Sequence, residues 1–196
     1  IELQEHPMRR FALPKPPTGE ALHAAIRAGL GILDLKPARL WVPLVGTAIA
    51  SALGHRRIVL FLHAEPLSGK STSASIVQRF FGERTTRDEF GRKAPPVNLR
   101  RASEAALAPI LSAIGDGVLL LDDYAFSGKK GELETTLDRV VRGVFEASGR
   151  LRSKRSGGGR DPMVPRCALM ITGETLASNG ASFISRCLTL EVPGRA

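Results

Sequence analysis

Lys70, Ser71, Asp122 and Asp123 are the residues of this 196-residue chain whose types and surroundings could do chemistry. An ammonium beside a hydroxyl is how a loop binds a polyphosphate with its divalent cation, and a carboxylate pair can hold that cation and take a proton from water. The run Ala64-Glu65-Pro66-Leu67-Ser68-Gly69-Lys70-Ser71-Thr72 nearly matches G-x-x-x-x-G-K-[ST], with alanine in place of the first glycine. Such a loop curls consecutive backbone N–H groups around an anion, uses glycine where the chain approaches the phosphate, and sends a lysine to the β- and γ-phosphates. Glu65, Pro66, Leu67, Ser68, Gly69, Lys70, Ser71 and Thr72 are therefore expected to bind a nucleotide such as ATP, with Ser71 offering its hydroxyl to Mg²⁺. Ala64 matters only if its position needs a positive φ.

The second half of such a site is a carboxylate at the end of a neighbouring strand. Val118-Leu119-Leu120-Leu121-Asp122-Asp123 supplies it, with Asp122 the better metal residue and Asp123 the better general base. Leu169-Met170-Ile171-Thr172 brings a hydroxyl to another strand end, where Thr172 could orient the attacking water or meet the γ-phosphate; Glu174 follows and either joins the site or caps a helix. Arg166 and Arg186 flank the late strands. A guanidinium stabilises charge spreading over a transferring phosphoryl group, and in a ring of subunits either arginine could serve a neighbour. Arg150, Arg152, Lys154, Arg155 and Arg160 put five cations in twelve residues around a glycine-rich tip. With no aromatics among them, they suit nucleic-acid backbone contact without base readout.

These groups need elements to position them. Arg57 to His63 is apolar at successive positions, as in a strand covered on both faces, and so are Val118 to Leu121, Ala168 to Thr172 and Leu188 to Val192. A short edge strand fits near Val97 to Arg100. Helical stripes separate the strands, one over Ser71 to Phe81 and another through Leu133, Leu137, Val140, Val141, Val144 and Phe145. Strands alternating with helices predict an α/β fold with a central parallel sheet. Upstream, Thr18 opens a helix with Leu22, Ile26, Leu30 and Leu33 on one face. A second helix, over much of Leu40 to Leu53, is small or apolar at nearly every position and is expected to be buried between other elements. Residues 1–17 read as a linker, 18–55 as a helical lead-in and 56–196 as the core.

Composition narrows the function classes. Lys and Arg number 28 against 19 Asp and Glu, a formal charge of +9 that favours a polyanionic partner. The uncharged stretch from Leu40 to Gly54 contains Pro43 and Gly46 and is too short for the ~20 apolar residues of a bilayer span. No membrane role is expected. Cys167 and Cys187, without a C-x-x-C pattern and with four scattered histidines, exclude a disulfide scaffold or zinc cluster and fit core thiols of a reducing, cytoplasmic compartment.

Taken as a set, these segments resemble the ring-forming ATPases of the AAA+ and superfamily 3 helicase type found in replication proteins of phages and mobile elements. The resemblance covers about Arg57 to Pro193 and rests on LHAEPLSGKST as Walker A, GVLLLDDYA as Walker B, PRCALMITGE as a sensor-1 strand and ASFISRCLTLEV as an arginine-bearing final segment. It implies a three-layer P-loop core, a homo-oligomer (a hexamer in the full-length protein) with nucleotide between subunits, Mg-ATP hydrolysis and movement on single-stranded DNA. It also implies a DNA-tracking hairpin in the interval that holds the basic segment. Thr172 stands where superfamily 3 usually has asparagine, and Ala64 where Walker A has glycine. Two other readings remain: a P-loop phosphotransferase acting on a small molecule, and a nucleotide switch or nucleic-acid binding module that does not hydrolyse.

Overall fold

A computed structural model describes residues 15–35, 37–82, 97–124, 131–149, 152–153, 159–160, 162–175 and 181–194. In chain order the elements are α1 (Gly19–Leu30), α2 (Ala38–Ala52), β1 (Val59–His63), α3 (Lys70–Gln78), β2 (Val97–Asn98), α4 (Glu104–Ala113), β3 (Val118–Tyr124), α5 (Glu132–Glu146), β4 (Arg152–Ser153), β5 (Gly159–Arg160), β6 (Ala168–Gly173), α6 (Ala181–Ile184) and β7 (Leu188–Glu191). Short 3₁₀ turns follow α1, α3 and β2.

Five strands form one parallel sheet in the order β2-β3-β6-β1-β7. The continuous apolar runs of β1, β3 and β6 are explained by helices on both faces, because alternate residues of a strand point to opposite sides, whereas β7, expected to be covered likewise, is a sheet edge with Leu188 exposed. Val59, Phe61, Leu119, Leu121, Leu169 and Ile171 pack with Leu107 and Leu111 of α4 and Leu137, Val140, Val141 and Val144 of α5. Their neighbours Leu60, Leu62, Val118, Leu120, Ala168 and Met170 pack with Leu40, Trp41, Leu44, Val45 and Ala48 of α2 and Ala74 and Val77 of α3. The result is a three-layer α/β sandwich.

The order matters for function. β6 lies between β1 and β3, so Thr172 at its end stands between the loop that leaves β1 and the aspartates of β3. All five strands run the same way, so one edge of the sheet collects every strand's C-terminal end, where open α/β sheets bind ligands.

Four further expectations change. α2 is one-sided rather than buried all round: Val42, Ile49 and Leu53 are exposed, since only one face meets the sheet. No residue of α1 is buried, and Leu22, Ile26 and Leu30 of its apolar face are exposed. Leu33 of the same stripe falls in the 3₁₀ turn after α1. β3 does not stop at Leu121 but runs through both aspartates to Tyr124, with a register irregularity between Leu121 and Tyr124 against β6. α4, which contains Pro109, has no counterpart in the periodicity reading; Ser103 caps it, its hydroxyl accepting from the Ala106 N–H at 3.3 Å.

Of the proposed linker, residues 15–17 are exposed and non-helical, and residues 1–14 lie outside the described residues. Among the described residues, no helix is long and apolar enough to cross a membrane. Burial pushes the thiols of Cys167 and Cys187 up to about 12, so both stay protonated at neutral pH.

Candidate nucleotide-binding site

The loop between β1 and α3 settles the question of Ala64. Its φ is not positive, its methyl is buried, and its N–H donates to the Gly173 carbonyl at 3.2 Å, extending the β1–β6 pairing by one residue. The left-handed positions fall later, at Leu67 (φ 63°) and Gly69 (φ 85°). An added Cβ on Gly69 would meet nothing within 4 Å, so the dihedral rather than crowding is what calls for glycine there. Leu67 adopts the same region without that freedom, and it is 88% exposed.

Gly69 starts α3, its carbonyl accepting from Ser73 N–H at 2.9 Å, so the helix presents its N-terminal end and positive dipole to the cleft. Lys70 Nζ donates back to the Glu65 carbonyl at 2.9 Å, which folds the ammonium over its own loop. Ser71 Oγ donates to Oδ1 of Asp122 at 2.6 Å, and Thr172 Oγ1 donates to the same oxygen. Three elements that are distant in sequence therefore meet at a single carboxylate oxygen.

Asp123 faces a different set of partners. Its φ of 69° is unusual for a residue other than glycine and belongs to the irregularity in β3, which turns successive side chains away from plain alternation. Asn98 Nδ2 donates to Asp123 Oδ2 at 3.2 Å. Arg100 Nε lies 3.3 Å from the same Oδ2 and 3.3 Å from the Asp123 main-chain oxygen.

These groups surround a cleft of ≈ 320 Å³ lined by Pro66, Leu67, Lys70 and Ser71 on one side and by Asn98, Asp122, Asp123, Tyr124, Thr172, Gly173 and Glu174 on the other. Among the described lining residues Lys70 supplies the only positive charge. Glu65, Ser68, Gly69 and Thr72 belong to the loop and first turn without lining the cleft. Ser68 Oγ is buried without a partner among the described residues. Glu174 donates its N–H to the Tyr124 carbonyl at 3.0 Å, which ties the end of β6 to the end of β3.

Tyr124 forms the floor. It is fully buried, its hydroxyl has no partner among the described residues, and burial, helped by the nearby Glu134, pushes its phenol up to about 12. Phe61 meets it edge to face at 5.8 Å between ring centroids. Gly173 is fixed by this packing: a Cβ there would lie 2.9 Å from the Tyr124 carbonyl oxygen and 3.1 Å from the Phe61 ring.

Neither candidate arginine reaches the cleft of its own chain. Arg166 precedes β6 and donates its N–H to Leu111 at 2.9 Å, at the opposite edge of the sheet beside the Arg56–Asp116 ion pair, where Arg56 holds the Asp116 carboxyl below its usual range. Arg186 donates from Nη1 to Ser182 O at 2.7 Å and from Nη2 to Glu146 at 3.0 Å, and its guanidinium sits 5.9 Å from the Phe145 ring centre. In the basic segment, Arg152 pairs with Arg160 and Ser153 with Gly159 in the antiparallel β4–β5 ladder. Arg150, Lys154 and Arg155 lie outside the described residues.

The residues missed from sequence are Asn98, Arg100, Tyr124 and Gly173. Asn98 had one signal, a polar side chain on the proposed edge strand, and the sheet places it level with Asp122. For Arg100 no local pattern exists.

The donor set fits a nucleotide with Mg²⁺. Mg²⁺ takes hard oxygen ligands, commonly one or two carboxylates with phosphates and water, and Asp122 with Ser71 offers that combination. Among the described residues no group of three His, Cys, Asp or Glu could hold a metal alone.

Solved structures share this architecture. A structure described as SCCmec type IV Cch, active helicase, aligns over 93% of the chain at 16% identity with a TM-score of 0.56. JCV helicase, solved with N-(4-(2-(thiazolo[5,4-c]pyridin-2-yl)phenoxy)phenyl)acetamide bound, aligns over 89% at 16% identity with a TM-score of 0.50. The fold is a helicase-like P-loop fold. The chain spans 33% and 46% of those two proteins. No family model and no curated protein sequence matches it.

Proposed function

We propose that this chain is the Mg²⁺-dependent ATPase domain of a DNA-acting motor. The observation that carries the reading is the meeting of Ser71, Thr172 and Asp122 at one carboxylate oxygen, at the mouth of the loop that bears Lys70. Hydroxyl and carboxylate held in that way form half of a divalent-cation site, and the other half is open toward the cleft where a triphosphate would lie.

In this reading Lys70 leaves the Glu65 carbonyl to meet the β- and γ-phosphates, so the loop carbonyl is the ammonium's resting partner. Ser71 and Asp122 would hold Mg²⁺, which would supply neutralising positive charge to the polyphosphate. Thr172, buried and bound to Asp122, orients that carboxylate rather than contacting the attacking water directly. Asp123 accepts a proton from water as its oxygen attacks the γ-phosphorus. The bond from phosphorus to the bridging oxygen breaks, leaving ADP and phosphate.

In this reading a neighbouring copy supplies a second positive charge for the transferring phosphoryl, beside Lys70. Arg166 and Arg186, at the opposite edge of the sheet, are the candidates. Such a contribution needs a homo-oligomer, with a hexamer as the proposed form. The +9 charge and the β4–β5 ladder with Arg152 and Arg160 support single-stranded DNA as the partner, with a backbone-binding role for that ladder and its flanking cations. The lead-in of α1 and α2 and the core from residue 56 would then work as parts of a larger cytoplasmic protein of phage or mobile-element replication.

The test is phosphate release from Mg-ATP across protein concentrations, with and without single-stranded DNA, beside Lys70→Ala and Arg186→Ala. Specific activity that rises with concentration and DNA and vanishes in both variants supports the motor. Turnover indifferent to both, or ATP binding with no turnover, overturns it in favour of a small-molecule phosphotransferase or a non-hydrolysing switch respectively.

A further inference from the structure

Arg100 touches Asp123 at two points, and that contact serves no purpose in the site as read from sequence. Its Nε lies 3.3 Å from the carboxylate Oδ2 and 3.3 Å from the main-chain oxygen of the same residue. Asp123 is also a position of left-handed backbone in β3, a conformation that persists only where surrounding contacts over-determine it. Both contacts are made by Nε, whose single N–H is shared between the carboxylate and the carbonyl.

Arg100 acts a second time through its backbone. Its N–H donates to Asn98 Oδ1 at 2.9 Å, which fixes the amide so that Nδ2 faces Asp123 Oδ2. Leu99 between them is fully buried in the core below, so the turn carrying both residues is anchored to the sheet. Asn98 is among the described residues that line the cleft, and Arg100 is not.

We infer that Arg100 is the positioning residue for Asp123. Its side chain holds the carboxylate and the main-chain oxygen of the proposed general base, beside Asn98 on the same carboxylate oxygen. This rests on the reading of Asp123 as the base. The side chain is half-exposed, at 51%, so its removal leaves no large cavity.

Two measurements on the full 196-residue chain test it. In urea denaturation of the unliganded protein, Arg100→Ala, Asp123→Ala and the double variant form a cycle. The expected coupling is at least threefold in the unfolding equilibrium constant. In steady-state Mg-ATP hydrolysis, Arg100→Ala is expected to lower kcat at least tenfold while the affinity for a fluorescent ATP analogue stays within twofold. Arg100→Lys recovers only part of kcat, because it keeps the positive charge but has no N–H at the place along the side chain where Nε meets both oxygens. No coupling in the cycle overturns the inference, and so does coupling with kcat unchanged or raised in Arg100→Ala. If the wild-type protein binds ATP but hydrolyses none, the ATPase reading fails, and the cycle alone decides whether Arg100 holds Asp123.

Discussion

Ser71 and Asp122 are 51 residues apart in the chain and 2.6 Å apart in space, joined by a hydrogen bond from the first turn of α3 to the irregular end of β3. That bond is charge-assisted and half-buried, and Thr172 reinforces it at the same oxygen. Asp122→Ala is expected to weaken Mg-ATP binding at least tenfold and to leave binding of ATP in EDTA little changed. Titration of a fluorescent ATP analogue with and without Mg²⁺ checks this, and equal loss in both conditions would exclude a metal role.

Restoring the usual glycine at position 64 brings no gain. Ala64 is buried, hydrogen-bonded to Gly173 and not in a left-handed conformation. Ala64→Gly therefore adds backbone entropy to the unfolded chain and removes a packed methyl, costing about 1 kcal/mol. Nucleotide affinity is expected to stay within twofold. Chemical denaturation and a binding titration measure the two effects.

Gly173→Ala is expected to be far more damaging than its size suggests. The new methyl would lie 2.9 Å from the Tyr124 carbonyl oxygen, part of the β3 backbone, and 3.1 Å from the buried Phe61 ring. The carbonyl cannot yield without moving the end of β3, and the ring is held in the core, so a loss of about 1–3 kcal/mol is expected, as for other overpacked cores. Because Asp122 and Asp123 precede Tyr124, nucleotide binding should fall with it.

Alkaline stability reports on three buried groups. The folded protein raises Tyr124 from 10.0, and Cys167 and Cys187 from 9.0, each to about 12. A raised folded value means stability that is complete below the unfolded value and lost as pH climbs toward the folded one. Tm should thus fall steeply between about pH 9 and pH 12. Tyr124→Phe removes one contributor along with a buried hydroxyl that has no partner among the described residues. It is expected to match the wild type or exceed it at pH 7 and to flatten the fall above pH 10 in a pH series of thermal melts.

Arg186 has a structural duty that any activity assay must separate. Its contacts with Glu146 and Ser182 join α5 to α6, so Arg186→Ala should cost about 1–2 kcal/mol of stability. Glu146→Gln weakens the same tie without touching the guanidinium. If Arg186 acts on a neighbouring copy, Arg186→Ala abolishes concentration-dependent turnover while Glu146→Gln retains most of it.

Sequence by itself determined the layers of the fold and which residues are candidates for chemistry. Local pattern carries that information: Gly69-Lys70-Ser71 has meaning only as a loop after a strand, and apolar residues at successive positions have few solutions other than a sheet covered on both faces. The strands β1, β3 and β6 were legible for that reason, and Lys70, Ser71, Asp122 and Thr172 as candidates at their ends, while β7 was found as a strand but is not covered on both faces. Tertiary structure alone decided what depends on which strand lies beside which. It placed β6 between β1 and β3, and so put Thr172 on Asp122. It moved the left-handed positions to Leu67 and Asp123, because φ follows from how a loop and a strand end close on their neighbours. It left α1 uncovered, since a helical stripe says that a face is apolar and not what covers it. And it brought Arg100 to Asp123 from the 3₁₀ turn that follows β2, within the stretch expected as an edge strand and with no local pattern to mark the contact.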